Sequence, residues 1–499
     1  MTEEEAIPAD IDVIAKCTCK IKTTDYNVRL TDTEFRWHIS GNKQLKGLQV
    51  VRVVDILAVT LDNSTKTEID KNGVSVSYVK QGKKLILKLC CVTFTSGDSQ
   101  IVSNLYQQIS TLIRKIEQRP RKLLVLINPV SGRSKGRSTY EQKVAPIFKE
   151  AGIETDVIVT QRAHHTEEIL STYDLNSING LVLVGGDGLY QECVNGLMRR
   201  LATEQNVNID DPDETVPAID IPIGVIPCGT GNGIALGCYG NCDVITAALA
   251  IAIGYESPAN IMSVHSDDKL LTYSVLMTGY GLWGDIINSA ESRRNQGVFR
   301  YAIAFAEYAF IKNQRRLQLS IQHYSGESLR QVKNKTQTTE AGSYLNETTM
   351  ENNTGTETDV WTNSTNCAPT TTTESVVGTV IFVSSPIHAF STTTKPDLSR
   401  VTMYMNKSSH RTKFMSFLFQ LMTTNFNALD SRDDITTLHG QEWKIKLENP
   451  SLPETENSIL EHIINIDGEV FRLSKLEFHT KLLTDRIKLF SNMPYFTKR

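Results

Sequence analysis

The stretch Leu181-Val-Leu-Val184-Gly185-Gly186-Asp187-Gly188-Leu-Tyr-Gln-Glu192 runs a short apolar segment into a glycine turn bearing one acid, and then into a helical pattern. Four apolar residues without polar alternation read as a strand buried on both faces, which is the habit of parallel sheets. Glycines in the following turn let the backbone come close to a ligand, and amides at the start of a helix face anionic groups. An aspartate beside a phosphate site would repel it unless it accepts a proton or holds a metal ion. The plainer alternative is a helix N-cap, a position that Asp favours.

Working outward, further buried runs fall at 123–127, 155–159 and 223–226, with helical patterns at 138–151, 164–172, 189–201 and 232–253. Strands alternating with helices predict an α/β domain on a parallel sheet. Three runs end in unusual loops: Asn128-Pro129-Val130-Ser131-Gly132, Gly185-Gly186-Asp187-Gly188 and Gly229-Thr230-Gly231-Asn232. Ligands lie beyond the carboxyl ends of parallel strands, so the three loops are expected to converge on one crevice. A Walker A loop is absent, because Gly132-Arg-Ser-Lys-Gly136-Arg-Ser is a residue short and has Arg where Lys belongs. Ile234 stands where a dinucleotide fingerprint needs glycine.

The chain of 499 residues is long enough for two or three domains, and its net charge of -4 gives no drive toward nucleic acid. Nine cysteines form no zinc or disulfide framework and read as reduced thiols. The acidic start Met1-Thr-Glu-Glu-Glu has no apolar segment after it, so no secretory signal is expected and the reading is cytoplasmic. No apolar run reaches bilayer length, which leaves peripheral contact with an intracellular or plasma membrane. Residues 28–96 alternate like short strands, and the stripe Ile101, Leu105, Ile109, Leu112 and Ile116 predicts a closing helix. Strands capped by one helix suggest a pleckstrin-homology-like module over 1–119. The α/β catalytic domain is placed at 122–255 and a β-rich sandwich domain at 256–499. Within the latter, residues 325–375 are so rich in Thr, Asn, Ser and Glu that they read as a disordered insertion.

Taken in order, Asn128-Pro129, Gly-Gly-Asp187-Gly, Gly-Thr-Gly-Asn232 and Asp467-Gly468-Glu469 resemble the diacylglycerol kinase catalytic-domain superfamily. Lys143-Val-Ala-Pro-Ile-Phe, Tyr273-Ser-Val and Gly279-Tyr-Gly-Leu-Trp-Gly-Asp285-Ile-Ile look most like its ceramide kinases, which also begin with a pleckstrin-homology domain. The resemblance implies an ATP- and Mg2+-dependent lipid kinase that phosphorylates the primary hydroxyl of ceramide at a membrane surface. The alternatives are a sphingosine kinase and a catalytically silent lipid-binding member.

By the same resemblance Asp187 is the base that accepts the lipid hydroxyl's proton, and Gly185, Gly186, Gly188 and Asp285 flank the lipid head. The nucleotide is lined by Asn128, Pro129, Val130, Ser131, Gly132, Thr160, Gln161, Arg162, Ala163, His164, Glu192, Gly229, Thr230 and Gly231. Arg294 and Arg300 reach phosphates, while Asp467, Gly468 and Glu469 close the site, with Glu469 near phosphate and magnesium. Taken alone, Arg294 also reads as part of an exposed basic helix face, and Asp467-Gly468 as a hairpin turn. Sphingosine kinases carry an acid where this chain has Ile287 and a serine where it has Met277, which favours an uncharged head group. Gly229-Thr-Gly-Asn232, in contrast, looks more like the sphingosine kinases.

Overall fold

The computed structural model describes residues 12–492 except 42–45, 63–72, 132–134, 230, 294–295, 297–298, 309–315, 325–369, 378, 384–399, 408–409, 423–428, 430, 449–462 and 476. The N-terminal unit is a sheet of seven antiparallel strands: β1 (Val13–Ile21), β2 (Thr24–Thr31), β3 (Glu34–Ile39), β4 (Gln49–Arg52), β5 (Ile56–Asp62), β6 (Gly73–Gln81) and β7 (Leu87–Thr95). Its order is β4-β3-β2-β1-β7-β6-β5, and β1 meets β7 at one residue pair, Lys20 and Thr95, so two meanders join at a corner. The helix α1 (Ser99–Arg114) is capped by the Asp98 carboxylate and packs Val102, Leu105 and Ile109 among Phe35, Trp37 and Phe94. Strand β1 and the first half of β2, before residue 28, escaped the sequence reading because charged and polar residues interrupt their alternation.

The second sheet holds five parallel strands side by side: β9 (Glu154–Val159), β8 (Lys122–Ile127), β10 (Gly180–Gly185), β11 (Ile219–Pro227) and part of β23 (Glu477–Phe490). Every residue of β10 is buried, as a strand covered on both faces requires. Covering helices are α2 (Gly136–Thr139), which runs through a π-helical turn at Tyr140–Val144 into α3 (Ala145–Glu150), then α4 (His165–Thr172), α5 (Asp187–Gln205), α6 (Gly233–Tyr239) and α7 (Val244–Ile253). The expected helix 232–253 is thus two helices, broken at Gly240, whose φ of 72° is the left-handed conformation that ends α6. All ten residues of α7 are apolar or Thr, and Thr246 to Ile253 are buried in the main core.

The division at residue 255 needs correction. β12 (Glu256–Ser266) pairs along β23, and the end of β23 sets Ile487 and Leu489 in parallel beside Ile219 and Ile223. One 14-residue strand therefore serves both bodies, bending at Asp485, whose φ is 53°. Toward its start, β23 continues into β20 (Glu442–Glu448), β15 (Arg316–Tyr324) and β16 (Thr370–Val377). A third sheet has the order β19 (Ile435–Gly440), β18 (Val401–Asn406), β17 (Thr379–Val383), β14 (Met277–Gly281), β21 (Ile463–Ile466) and β22 (Glu469–Arg472). Leu319, Ile321, Trp443 and Phe478 of one sheet share a buried core with Tyr280, Met403 and Ile464 of the other.

The expected disorder of 325–375 is also corrected in part, because Thr370–Val377 is a strand paired with β15. Its threonines are β-branched and suit a strand, although the segment looks too polar to fold. Residues 325–369 of that reading lie outside the described residues. Remaining elements are β13 (Lys269–Ser274), α8 (Leu282–Glu291), α9 (Phe299–Ala306) and α10 (Arg411–Met422).

The N-terminal unit docks on α7. Leu57, Val79 and Leu87 join the main α/β core, the Leu87 amide donates to Thr246 Oγ1 at 3.0 Å, and Asn241 Nδ2 donates to the Leu85 carbonyl at 3.1 Å. In the linker, the Arg119 guanidinium donates to the carbonyls of Val54, Ile56 and Leu57.

Candidate active site

Four strand ends share one edge of the parallel sheet. The Thr160 amide donates to the Ile127 carbonyl at 2.9 Å, that of Asn128 to Val184 at 3.1 Å, and that of Cys228 to Gly185 at 2.8 Å. Loops 128–131, 160–164 and 186–188 and residues 228–229 therefore stand side by side, and three of these four are the loops the sequence sets on one edge. The loops after β10 and β11 touch through backbone alone. A Cβ on Gly186 would lie 2.9 Å from Gly229 Cα and 3.0 Å from the Gly231 carbonyl oxygen, and one on Gly229 would lie 2.7 Å from that oxygen. These glycines are required by close approach. Asn232 locks the loop, its Oδ1 accepting the Gly229 amide at 2.9 Å and its Nδ2 donating to the Gly229 carbonyl at 3.1 Å.

Asp187 begins α5 and is half-buried between the loops. Its Oδ2 accepts the Gly233 amide at 2.9 Å and its Oδ1 the Ile234 amide at 3.0 Å, so it caps α6 from the neighbouring helix. Burial pushes its pKa above the ordinary aspartate value, and the two amides oppose that shift. Carboxylate oxygens accept more than one hydrogen bond, so capacity remains for an alcohol. Gly188, next along, is exposed and a Cβ there would meet nothing within 4 Å, which leaves the start of α5 open to a ligand. A polyphosphate fits this edge: glycine turns without side chains, helix-terminal amides and one adjacent carboxylate.

The remaining nucleotide-side residues are held by local bonds. Asn128 Oδ1 accepts the Val130 amide at 3.1 Å, and the Ser131 amide donates to the Asn128 carbonyl at 3.3 Å. Pro129 lies in this turn, and Val130 is 74% exposed. The Gln161 amide donates to His165 Nδ1, while Arg162 pairs with Glu168 and Ala163 sits between them, exposed. Glu192 Oε1 accepts the Thr166 amide at 2.8 Å near the start of α4, so α5 supplies both Asp187 and a second helix-capping acid. His164 takes a left-handed φ of 60° ahead of α4, and its Nδ1 lies 2.9 Å from Glu167 Oε1. The bond to Glu167 raises its pKa, and the charges of Glu167, Glu192 and Glu469 add to the rise against partial burial. The charge of Glu469, on the β21–β22 hairpin, thus acts on His164. Gly132, Thr230 and Arg294 lie outside the described residues.

Asp467 has another task. Its carboxylate accepts Ser274 Oγ at 3.0 Å and the amides of Val275, Leu276 and Met277 at 2.6, 2.9 and 2.8 Å. Burial pushes its pKa up to about 6 against the pull of these four donors. Asp467 and Gly468 have φ of 53° and 96°, so the turn is the hairpin that Asp-Gly signals, and its acid clamps the β13–β14 connection. Arg300 is held by Glu291 Oε1 at 2.9 Å and lies over the Tyr301 ring at 4.6 Å. Asp285 is buried in the first turn of α8, and Gly284 beside it packs on the Ile463 carbonyl. Ile287 is buried too, and Met277 packs on an apolar cluster of Ile286, Ala290, Tyr404, Phe414 and Phe417.

Sequence reasoning missed the amides of Gly233 and Ile234, the 274–277 connection, and Asn195. The Asn195 side chain ties α5 to β13 through Tyr273 N at 2.9 Å, Tyr273 O at 3.1 Å and Thr272 Oγ1 at 2.9 Å. Backbone amides leave no mark in a sequence. The periodic line Asp187, Gln191, Asn195 was the one available signal, since positions four apart share a helix face.

Residues 122–264 match the family model of the diacylglycerol kinase catalytic domain. Curated proteins similar to the chain include ceramide kinases and sphingoid-base kinases. The chain is 36% identical over 227 residues to ceramide kinase of Homo sapiens, covering 46% of this chain and 42% of that one. It is 32% identical over 229 residues to ceramide kinase 1 of Caenorhabditis elegans, covering 45% and 41%. It is 30% identical over 240 residues to sphingoid long chain base kinase 4 of Schizosaccharomyces pombe, covering 48% of each. The chain spans less than half the length of these curated relatives.

Proposed function

We propose that the chain is an ATP-dependent lipid kinase that transfers the γ-phosphoryl group to the primary hydroxyl of ceramide, giving ceramide 1-phosphate. The observation that carries this reading is the half-buried Asp187 carboxylate, fixed by two amides where the glycine loops meet. Phosphoryl transfer needs positioning and charge stabilisation more than a strong base, so an Asp with moderately raised pKa suffices to take the hydroxyl's proton. Gly186, Gly229 and the open start of α5 suit the phosphates, and the 160–164 loop and Glu192 flank them. Among the described residues no group of three or more His, Cys, Asp or Glu side chains is gathered for a metal ion. Mg2+ commonly rests on one or two carboxylates plus the nucleotide, and the exposed Glu469 fits that sparse requirement.

Ceramide is favoured over a sphingoid base because buried Ile287 and apolar Met277 offer an amine no counter-charge. Lipid delivery from a membrane is supported by Phe299 and Ile303 on α9 and Phe419 on α10, which are 76%, 42% and 65% exposed beside the apolar cluster. Among the described residues no single helix is long and apolar enough to cross a membrane, so the contact proposed is peripheral, on the cytoplasmic side where ATP is available. The N-terminal unit is proposed as pleckstrin-homology-like, on the strength of its two meanders and closing helix. Labelled ATP offered with vesicles of ceramide, sphingosine or diacylglycerol, or with free NAD, tests the reading. It requires label in ceramide above all others; preferred labelling of sphingosine would move the assignment to the sphingoid-base kinases.

A further inference from the structure

The thiols of Cys17 and Cys19 meet on β1, with their Sγ atoms 3.7 Å apart. Residues two apart on a strand share one face. Here that face is the inner one: Cys19 is 2% exposed and belongs to the core of Phe35, Trp37 and Phe94. Cys17 packs at the margin of the same core and is only half-buried, so it is the member of the pair within reach of a small solute.

Charge gives the two sulfurs different roles. The hydrogen bond with the Cys19 thiol lowers the Cys17 pKa against the opposing effect of burial. The same bond, burial and the Cys17 charge push Cys19 up. Cys17 is therefore the sulfur that ionises, and a thiolate is the nucleophilic form of cysteine. In the α/β body burial pushes Cys193, Cys228, Cys238 and Cys242 up instead. A metal ion would need further ligands, and among the described residues no third His, Cys, Asp or Glu joins the pair.

The strand sets the cost of joining them. Two residues on one face of a strand stand about 6.7 Å apart along it, whereas a disulfide needs β-carbons about 3.8 Å apart and sulfurs about 2.0 Å apart. The side chains already turn toward each other, and the backbone must supply the rest. Cys17 pairs with Val28, Thr18 with Asn27 and Cys19 with Tyr26, so drawing the cysteines together tightens the pleat at Thr18 and disturbs this register. A disulfide closed against such strain is easily reduced again.

We propose that Cys17 and Cys19 are a reversible modification site, which a peroxide oxidises to a disulfide that loosens the pairing of β1 with β2. The Cys17 thiolate attacks one peroxide oxygen, the O–O bond breaks, hydroxide leaves and Cys17 becomes a sulfenic acid. The Cys19 sulfur attacks the Cys17 sulfur, the S–S bond forms, and the sulfenic oxygen leaves with the Cys19 proton as water. Two thiols and one hydrogen peroxide thus give one disulfide and two waters. The site is independent of the kinase reading.

The test treats the full chain with hydrogen peroxide, blocks the remaining thiols with N-ethylmaleimide in denaturant and cuts with trypsin. Cleavage after Lys16 and Lys20 releases Cys17-Thr18-Cys19-Lys20, which holds no other cysteine. This peptide should appear unblocked and lighter by two hydrogen atoms than its reduced form, at a dose that leaves the exposed Cys91 blocked. Dithiothreitol should return it to the doubly blocked form. Amide hydrogen exchange in β1 should be faster by about tenfold in the oxidised protein and unchanged by peroxide in Cys17→Ser. In Cys19→Ser, which lacks the second thiol, dimedone should trap the Cys17 sulfenic acid. A peptide still doubly blocked once Cys91 is oxidised, or exchange in β1 that oxidation leaves unchanged, would overturn the proposal on the wild-type chain alone.

Discussion

The Asp187 carboxylate, at the start of one helix, accepts the Gly233 amide at the start of the next at 2.9 Å. The acid expected to do chemistry is therefore also the cap of α6, and its orientation is set by the loop that follows β11. Gly231 lies so close that a Cβ there would approach Asp187 Oδ2 to 3.0 Å. Leu276, in the connection clamped by Asp467, packs in turn on Gly233, where a Cβ would come within 3.2 Å of its Cδ2. A chain of contacts thus runs from the β21–β22 hairpin to the carboxylate.

Gly186→Ala and Gly229→Ala should each disable the phosphate cradle. The added Cβ meets backbone, which cannot rotate away, so the two loops must separate. Overpacking of this kind costs about 1–3 kcal/mol. ATP affinity measured by calorimetry should fall by about tenfold or more in each variant, whereas Gly188→Ala, with open space around it, should fall least.

Glu469→Gln should lower the pKa of His164. The rise in that pKa comes first from Glu167 and then in part from Glu192 and Glu469, so removing the last charge removes part of it. Titration of the histidine ring signals by NMR reads this directly. An unchanged His164 midpoint would place the β21–β22 hairpin out of reach of the 160–164 loop.

Asp467 makes a signed pH prediction. Its carboxyl is held at about 6 in the folded chain against 3.8 ordinarily, so the folded state binds this proton more tightly than the unfolded state does. The stability from this group is full below about pH 4 and declines as pH rises to about 6. The thermal midpoint advantage of wild type over Asp467→Ala should therefore be smaller at pH 7 than at pH 4. An advantage that grows with pH would contradict the assigned shift.

Ile287→Asp should raise the ratio of sphingosine to ceramide turnover. The position is buried beside Ile286 and Ala290, so an amine-bearing head would gain a partner there while ceramide would gain none. The same buried charge should destabilise the free protein by about 2–4 kcal/mol, seen as a lower thermal midpoint. A stable variant with an unchanged ratio would separate Ile287 from head-group selection.

The sequence made the parallel strands legible because 123–127 and 181–184 are apolar without alternation, and it made the shared edge legible because each such strand ends in glycine or Asn-Pro. It hid the second use of β23. Residues Glu477–Phe490 alternate like an antiparallel strand at their start, and nothing local shows that Ile487 and Leu489 lie beside β11. It also hid the division of labour among the acids. Asp187, Glu192 and Asp467 all stand in motif-like positions, yet only the folded chain shows that each accepts amides from another element. Such pairings depend on where a distant backbone arrives, which periodicity does not encode.

The role proposed for Asp187 is to take the proton of a lipid hydroxyl as it attacks ATP. The most direct measurement is transfer of label from γ-labelled ATP to vesicle-borne ceramide by wild type and Asp187→Asn, with ATP affinity measured on both. Labelled ceramide phosphate is expected from wild type, with a fall of about 10²–10⁴-fold in the variant and ATP affinity little changed. A variant that folds, binds ATP and labels ceramide as fast as wild type would contradict it.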